Sequence, residues 1–204
     1  MTRFIIVRHG RTEWNRVEKF RGRADIGLDE VGVKQAEAAA KRMAAWPISA
    51  IYSSPLRRAS TTAEIIAGWL GLKVRPLPGI IDIDYGAWQG LSTEDVIASD
   101  SHLYAQWTES PDKVKFPGGE KFVEVRERAA SAVDELMQQH PKETVVLVSH
   151  KVICQILVLS LLALDSSHFW QITQDVCAMN LFEVRGNIPS ALFLNDTCHL
   201  EGLN

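Results

Sequence analysis

Four consecutive apolar residues, Phe4-Ile5-Ile6-Val7, lead directly into Arg8-His9-Gly10. An unbroken apolar run predicts a strand covered on both faces, with the polar triplet at its carboxyl end. The pattern returns as Val145-Val146-Leu147-Val148 followed by Ser149-His150. Between them, helical and strand periods alternate. Asp29 can cap a helix over roughly 30–45, with Ala36, Ala39, Ala40 and Met43 on its inner face. Ala50-Ile51-Tyr52 reads as a strand ending in Ser53-Ser54-Pro55. Serine as N-cap and proline at the first helical position predict a helix opening there, running to about Leu70 and stopped by Gly71. A short strand is expected near 73–76.

Residues 77–119 are the least regular part, broken by Pro78, Gly79, Gly86, Gly90, Pro117, Gly118 and Gly119. Short helices are expected near 92–99 and 101–108. So long an irregular stretch inside a compact domain points to a cap or functional loop insertion. Phe122, Val125, Ala129, Val133, Leu136 and Met137 then mark an amphipathic helix within Glu120–Gln139, closed by Pro141. A strand at 144–149, a helix at 151–164 and strands near 178–184 and 191–195 complete the chain. Strands alternating with helices indicate an α/β fold, a three-layer α/β/α sandwich with a mostly parallel central sheet. The 204 residues are expected to form one domain, 1–204.

Composition narrows the function. Hydrophobic residues at 46% and charged residues at 23% are ordinary for a folded soluble chain and exclude a disordered or coiled-coil one. The net charge of −3 gives no general attraction to nucleic acid or anionic membrane. Residues 1–23 nevertheless carry Arg3, Arg8, Arg11, Arg16, Lys19, Arg21 and Arg23 against Glu13 and Glu18, a local +5 that leaves −8 elsewhere. Without interleaved aromatics this is a focused field for a small anionic substrate rather than a base-stacking surface. Cys154, Cys177 and Cys198 are odd in number and lack metal-ligand spacing, which fits free thiols in a reducing cytoplasm. No signal peptide is expected ahead of the first strand. The apolar stretch from Val145 to Leu164 is interrupted by Ser149-His150-Lys151, so a strand, a turn and a buried helix describe it better than a membrane span.

Three strand ends deliver polar residues to one edge of such a sheet: Arg8 and His9, then Arg57 and Arg58 in a helix's opening turn, then His150. A lone histidine after a strand is more often structural, and paired arginines are usually an exposed turn. Together, two histidines and several guanidinium groups describe an oxyanion site, to which a helix N-terminus at 55–58 would add N–H donors. The missing third ligand and the adjacent arginines argue against zinc.

Arg8-His9-Gly10-x-Thr12-x-x-Asn15 resembles the signature of the histidine phosphatase superfamily, in the branch containing cofactor-dependent phosphoglycerate mutases. Arg21-Gly22 through Asp25, Leu28 and Gly32 to Gln35-Ala36 is similar to the next block. The resemblance continues through Ser53-Ser54-Pro55-Leu56-x-Arg58-Ala59-x-x-Thr62-Ala63 and Asp84-Tyr85-Gly86-x-Trp88-x-Gly90. Pro117-Gly118-Gly119-Glu120, Val148-Ser149-His150 and Asn195-Asp196-Thr197-x-His199-Leu200 follow in order. It implies that His9 becomes a phosphohistidine, that Arg8, Arg58 and His150 hold the phosphoryl oxygens, and that Asn15 adds a neutral hydrogen bond. No metal or other cofactor is implied.

The family's proton donor is a glutamate four residues before the glycine of Gly-x-Trp; here that position is Asp82, with Asp84 as the competing carboxylate. Lys151 stands where a small residue is usual, and Lys121 where a serine is common. With Arg21 they suggest a substrate more anionic than a plain alcohol phosphate. Compact members of this family resemble broad-specificity and alpha-ribazole phosphatases. The expected function is therefore hydrolysis of a small phosphorylated metabolite. Phosphoglycerate mutase is the alternative, and a non-catalytic phosphate-binding regulatory protein the reading from another class. Six tryptophans leave room for a homodimer contact.

Overall fold

The computed structural model describes residues 1–17, 19–186 and 188–203. In chain order, the first half forms β1 (Thr2–Arg8), α1 (Glu13–Arg16), α2 (Glu30–Met43), β2 (Ile48–Ser53), α3 (Arg57–Leu70) and β3 (Val74–Pro76). The second half adds α4 (Thr93–Glu109), α5 (Phe122–Gln139), β4 (Thr144–Ser149), α6 (Lys151–Leu161), β5 (Met179–Arg185) and β6 (Ile188–Asp196). The sheet order is β3-β2-β4-β1-β5-β6. The first four strands are mutually parallel, whereas β5 is antiparallel to both β1 and β6, so the sheet is mixed.

Strand alternation divides the interior into two layers. Phe4, Ile6, Tyr52, Val145 and Leu147 face one core with α5 and α6; Ile5, Val7, Ile51, Val146 and Val148 face the other with α2 and α3. Both faces of β1 and β4 are fully covered, which is why their sequences are unbroken apolar runs. The result is the expected three-layer arrangement.

Local differences have identifiable causes. Helix α3 begins at Arg57, behind Ser53-Ser54-Pro55, where the Ser54 hydroxyl is shared between His150 Nε2 at 2.7 Å and a long contact from Leu56 N–H at 3.4 Å. The two short helices expected within 77–119 are continuous as α4 apart from a kink at Asp100, whose carboxylate accepts from Leu103 N–H at 3.0 Å and restarts the helix. Helix α1 has no apolar period and is missed by periodicity; it is held by the reciprocal Thr12–Asn15 cap. Among the described residues, no helix is long and apolar enough to cross a membrane.

The 77–119 segment is anchored by edge-to-face aromatic contacts: Trp107 packs on Phe116, Phe122 and Trp170, and Trp88 on Phe116 and Phe20. Its two glycine-rich turns meet. Gly119 passes the backbone of Asp84, and Ala87 N–H donates to Pro117 O at 2.8 Å. Gly86 has φ +52°, and a Cβ there would lie 2.1 Å from Pro117 O. By contrast Gly71, the left-handed stop of α3 at φ +66°, faces open space. Gly71→Ala is expected to cost about 1 kcal/mol from backbone strain alone. Gly86→Ala is expected to cost at least about 2 kcal/mol, because a backbone collision is added. Urea midpoints of the two variants measure the difference, and equal midpoints would contradict the close approach.

Candidate active site

The site begins with the β1–β4 register. Arg8 pairs with Ser149, and the His9 N–H then donates to Ser149 O at 2.8 Å, so His9 and His150 leave adjacent parallel strands side by side. Their ring centroids are 5.3 Å apart. The His9 Nδ1 lies 2.7 Å from Gly10 O. A carbonyl only accepts, so Nδ1 carries the proton and Nε2 keeps its lone pair. Burial holds the His9 pKa well below its ordinary value, reinforced by the Arg58, Arg8 and Arg21 charges. The imidazole is therefore neutral and nucleophilic.

His150 is neutral for the same first reason, burial, followed by the Arg58 charge. Its Nδ1 accepts from Arg58 Nε at 3.1 Å, which leaves the proton on Nε2 against Ser54 Oγ. Arg58 is fully buried. Its remaining contacts are to Ala24 O and Gly22 O at 2.7 Å and Asp82 Oδ2 at 2.8 Å. Arg57 points elsewhere: its N–H and guanidinium bind Asp25 at the surface. Of the N–H donors expected from this helix terminus at 55–58, those of Leu56 and Arg57 are engaged by Ser54 and Asp25, a correction to the sequence reading.

Asp82 is buried, with Oδ1 accepting from Ile83 N–H at 3.0 Å and Oδ2 on Arg58. Burial raises its pKa against the opposing pull of Arg58 and Arg21, the direction needed to keep a carboxylic acid protonated. Asp84 has a different task. It accepts from Gly86 N–H at 2.9 Å and lies 3.8 Å from Arg23, as part of the turn.

A cleft of about 620 Å³ opens over these groups. Arg8, His9, Asn15, Arg21, Asp82 and Lys151 all contribute to its lining, whereas Arg58 and His150 sit behind it. Arg8 donates to Gln174 O at 2.6 Å, and burial brings its pKa down to about 10. Its Nε is buried without a partner among the described residues, as is one terminal nitrogen of Arg21. Asn15 accepts from Thr12 through Oδ1, leaving its amide nitrogen as the donor. Lys151 occupies the first turn of α6 and is exposed. Tyr85, Tyr104, Trp107 and Trp170 add an aromatic side to the cleft.

Several supporting residues have no readable signal of their own. Ser54 and Thr62 fall inside a recognisable motif, yet their tasks emerge only in three dimensions: Ser54 takes His150, and Thr62 accepts from Gly10 N–H at 3.1 Å. Gln174 offers only a backbone carbonyl, which no side-chain pattern reports. Among the described residues, no group of three or more His, Cys, Asp or Glu is arranged to hold a metal ion.

Residues 4–197 match the model of the histidine phosphatase superfamily, branch 1. The chain is 37% identical over 200 residues to phosphoserine phosphatase 1 of Hydrogenobacter thermophilus, covering 98% of this chain and 95% of that one. It is also 34% identical over 203 residues to a bifunctional protein of Mycobacterium tuberculosis, of which it spans only 55%. Among solved structures, Bacillus stearothermophilus YhfR superposes with a TM-score of 0.92 at 28% identity, covering 98% of this chain and 100% of that one. A phosphoserine phosphatase mutant from Entamoeba histolytica, in complex with phosphoserine, superposes with a TM-score of 0.89 at 29% identity over 98% and 100% of the chains. The chain belongs to the histidine phosphatase superfamily, branch 1.

Proposed function

We propose that the protein hydrolyses small phosphorylated metabolites through a phosphohistidine on His9, with esters that carry a second acidic group as its preferred substrates. The observation that carries this reading is the pair of unpartnered guanidinium donors, one on Arg8 and one on Arg21, buried beside a neutral His9. A buried donor left unsatisfied is costly. A phosphoryl group supplies acceptors in number and in the geometry a guanidinium fork prefers.

His9 Nε2 attacks phosphorus, forming the P–N bond as the P–O bond to the leaving alcohol breaks. Protonated Asp82 gives its proton to the leaving oxygen. Water then attacks the phosphohistidine, Asp82 takes its proton back, and His9 returns neutral with inorganic phosphate released. Arg8 and Arg21 contact the phosphoryl oxygens, and the Asn15 amide adds a neutral donor. Arg58 supplies a fixed positive charge from behind the wall, and His150 brings the Nε2–H that rests on Ser54. Lys151, at the rim, faces the substrate's second acidic group. The 77–119 segment acts as the cap that sets specificity.

The phosphatases among the relatives favour hydrolysis over isomerisation, and phosphoserine is the first substrate to test. Free thiols at Cys154, Cys177 and Cys198 fit a reducing cytoplasm. We also place a homodimer contact on β6, the free edge of the sheet, where Ile188 is 72% and Leu192 53% exposed.

His9→Ala should abolish phosphate release from phosphoserine and p-nitrophenyl phosphate alike; persisting turnover would sink the phosphohistidine. Asp82→Asn should lose about 100-fold or more in turnover while still binding inorganic phosphate. With phosphoglycerate, inorganic phosphate should accumulate, and bisphosphoglycerate should not prime exchange between isomers. Because burial and neighbouring cations lower its pKa, the His9 ring should remain neutral and Nδ1-protonated as pH falls through 6.5. Nitrogen-15 chemical shifts of the ring report this directly, and a ring gaining its second proton at 6.5 would contradict the assigned state. Light scattering should give the mass of a dimer that Leu192→Asp converts to monomer, against a monomeric wild type if the edge is free.

A further inference from the structure

The loop that carries Asp82 is tied down by a residue that does not line the cleft. Arg128, on α5, uses all five of its N–H donors. Its NH1 donates to Gly79 O and Ile81 O, both at 2.8 Å. Its NH2 donates to Asp82 O at 3.2 Å and to Glu120 Oε2 at 3.1 Å, and Nε donates to Glu120 Oε1 at 3.0 Å. Glu120 in turn accepts from Asp84 N–H at 2.9 Å and pairs with Arg23 at 2.9 Å. The loop also lies against α5 without slack: a Cβ on Gly79 would fall 2.7 Å from the Ala132 Cβ.

We propose that Arg128, braced by Glu120, is a positioning residue that sets how far the Asp82 carboxyl reaches toward the leaving oxygen. The inference rests on Asp82 being the proton donor. An aspartate has one methylene fewer than a glutamate, so its carboxyl position follows the backbone closely and tolerates little displacement of the loop. Two guanidinium groups hold the loop, one by side chain and one by backbone: Arg58 grips the Asp82 carboxylate at 2.8 Å, and Arg128 gathers the backbone carbonyls of 79, 81 and 82. Those carbonyls repel one another when unpaired, and a planar fork is suited to collecting them at once. Lysine, with three donors and no fork, cannot reproduce the set.

The test compares kcat/KM, which reports the steps up to release of the alcohol, for two leaving groups. Phosphoserine releases an alkoxide that needs the proton; p-nitrophenyl phosphate releases a phenolate that scarcely does. Arg128→Met, Arg128→Lys and Glu120→Gln are measured beside Asp82→Asn, with inhibition by inorganic phosphate reporting the oxyanion pocket. Arg128→Met should lose about 100-fold on phosphoserine, the scale of a displacement near 1 Å. It should stay within about threefold on p-nitrophenyl phosphate and in phosphate inhibition. Asp82→Glu in the Arg128→Lys background should recover about tenfold on phosphoserine by restoring reach, while lowering the rate in the wild type. Equal losses on both substrates, parallel weakening of phosphate inhibition or unchanged rates would overturn the proposal. If Arg128→Met does not fold, Glu120→Gln decides by the same split at smaller size. An Asp82→Asn enzyme with no leaving-group dependence would overturn the acid assignment itself, and that failure is distinct from loss of the clamp alone.

Discussion

The site depends on an unequal burial of charge. Arg8, Arg21 and Arg58 converge on one region of the interior, and Asp82 is the carboxylate buried among them. Left alone, such an excess of positive charge would unfold the region or force its groups to neutralise. The backbone provides part of the compensation: Gln174 O for Arg8, and Gly22 O and Ala24 O for Arg58. The rest is left without a protein partner beside the cleft, at Arg8 Nε and one terminal nitrogen of Arg21, where the proposed phosphoryl group would complete it. Burial, reinforced by the same field, keeps both histidines neutral, so one arrangement suits both the proposed binding site and the proposed nucleophile.

Asp82 is subject to two opposed effects in this field. Burial favours its protonated form, while Arg58 and Arg21 favour the carboxylate. An acid that must give a proton in one step and recover it in the next works best when neither form is strongly preferred. Arriving substrate shifts that balance, because a phosphoryl dianion offsets the guanidinium charge and leaves burial the larger influence. In the proposed mechanism, proton uptake by Asp82 is then coupled to occupancy of the oxyanion pocket.

Much of this is legible in the sequence, for specific reasons. Phe4 to Val7 and Val145 to Val148 announce themselves because a strand covered on both faces needs no alternation. The triplets that follow are then placed at strand ends by topology alone, which brings His9 and His150 together. Burial distinguishes Arg58 from Arg57, a difference that motif spacing also marks. The start of α3 is not legible, because Ser54 makes as good a cap in sequence as it makes a hydroxyl partner for His150. The antiparallel hairpin of β5 and β6 is read as two strands, but their direction depends on pairing with β1. Gln174, whose carbonyl holds Arg8, and Arg128, which holds a loop some 46 residues earlier in the chain, leave no local trace.

An aspartate at position 82, where the family resemblance leads one to expect a glutamate, gives that last residue its weight. A longer acid can absorb loop motion in its own torsions, whereas a shorter one transfers the requirement for precision to the backbone. Here the backbone is fitted accordingly. Gly86 and Gly119 let two turns approach closer than any side chain would allow, Glu120 joins them through Asp84 N–H, and Arg128 fixes the carbonyls of Gly79, Ile81 and Asp82. None of these groups touches the cleft, yet each bears on where a single carboxyl oxygen lies. Proton-transfer efficiency falls steeply once the acid leaves hydrogen-bond reach of the leaving oxygen. With Asp82 as the proposed acid, the cost of a slack loop would therefore fall on the chemical step for poor leaving groups, while the proposed oxyanion pocket, built on the strand ends, would keep its hold on phosphate.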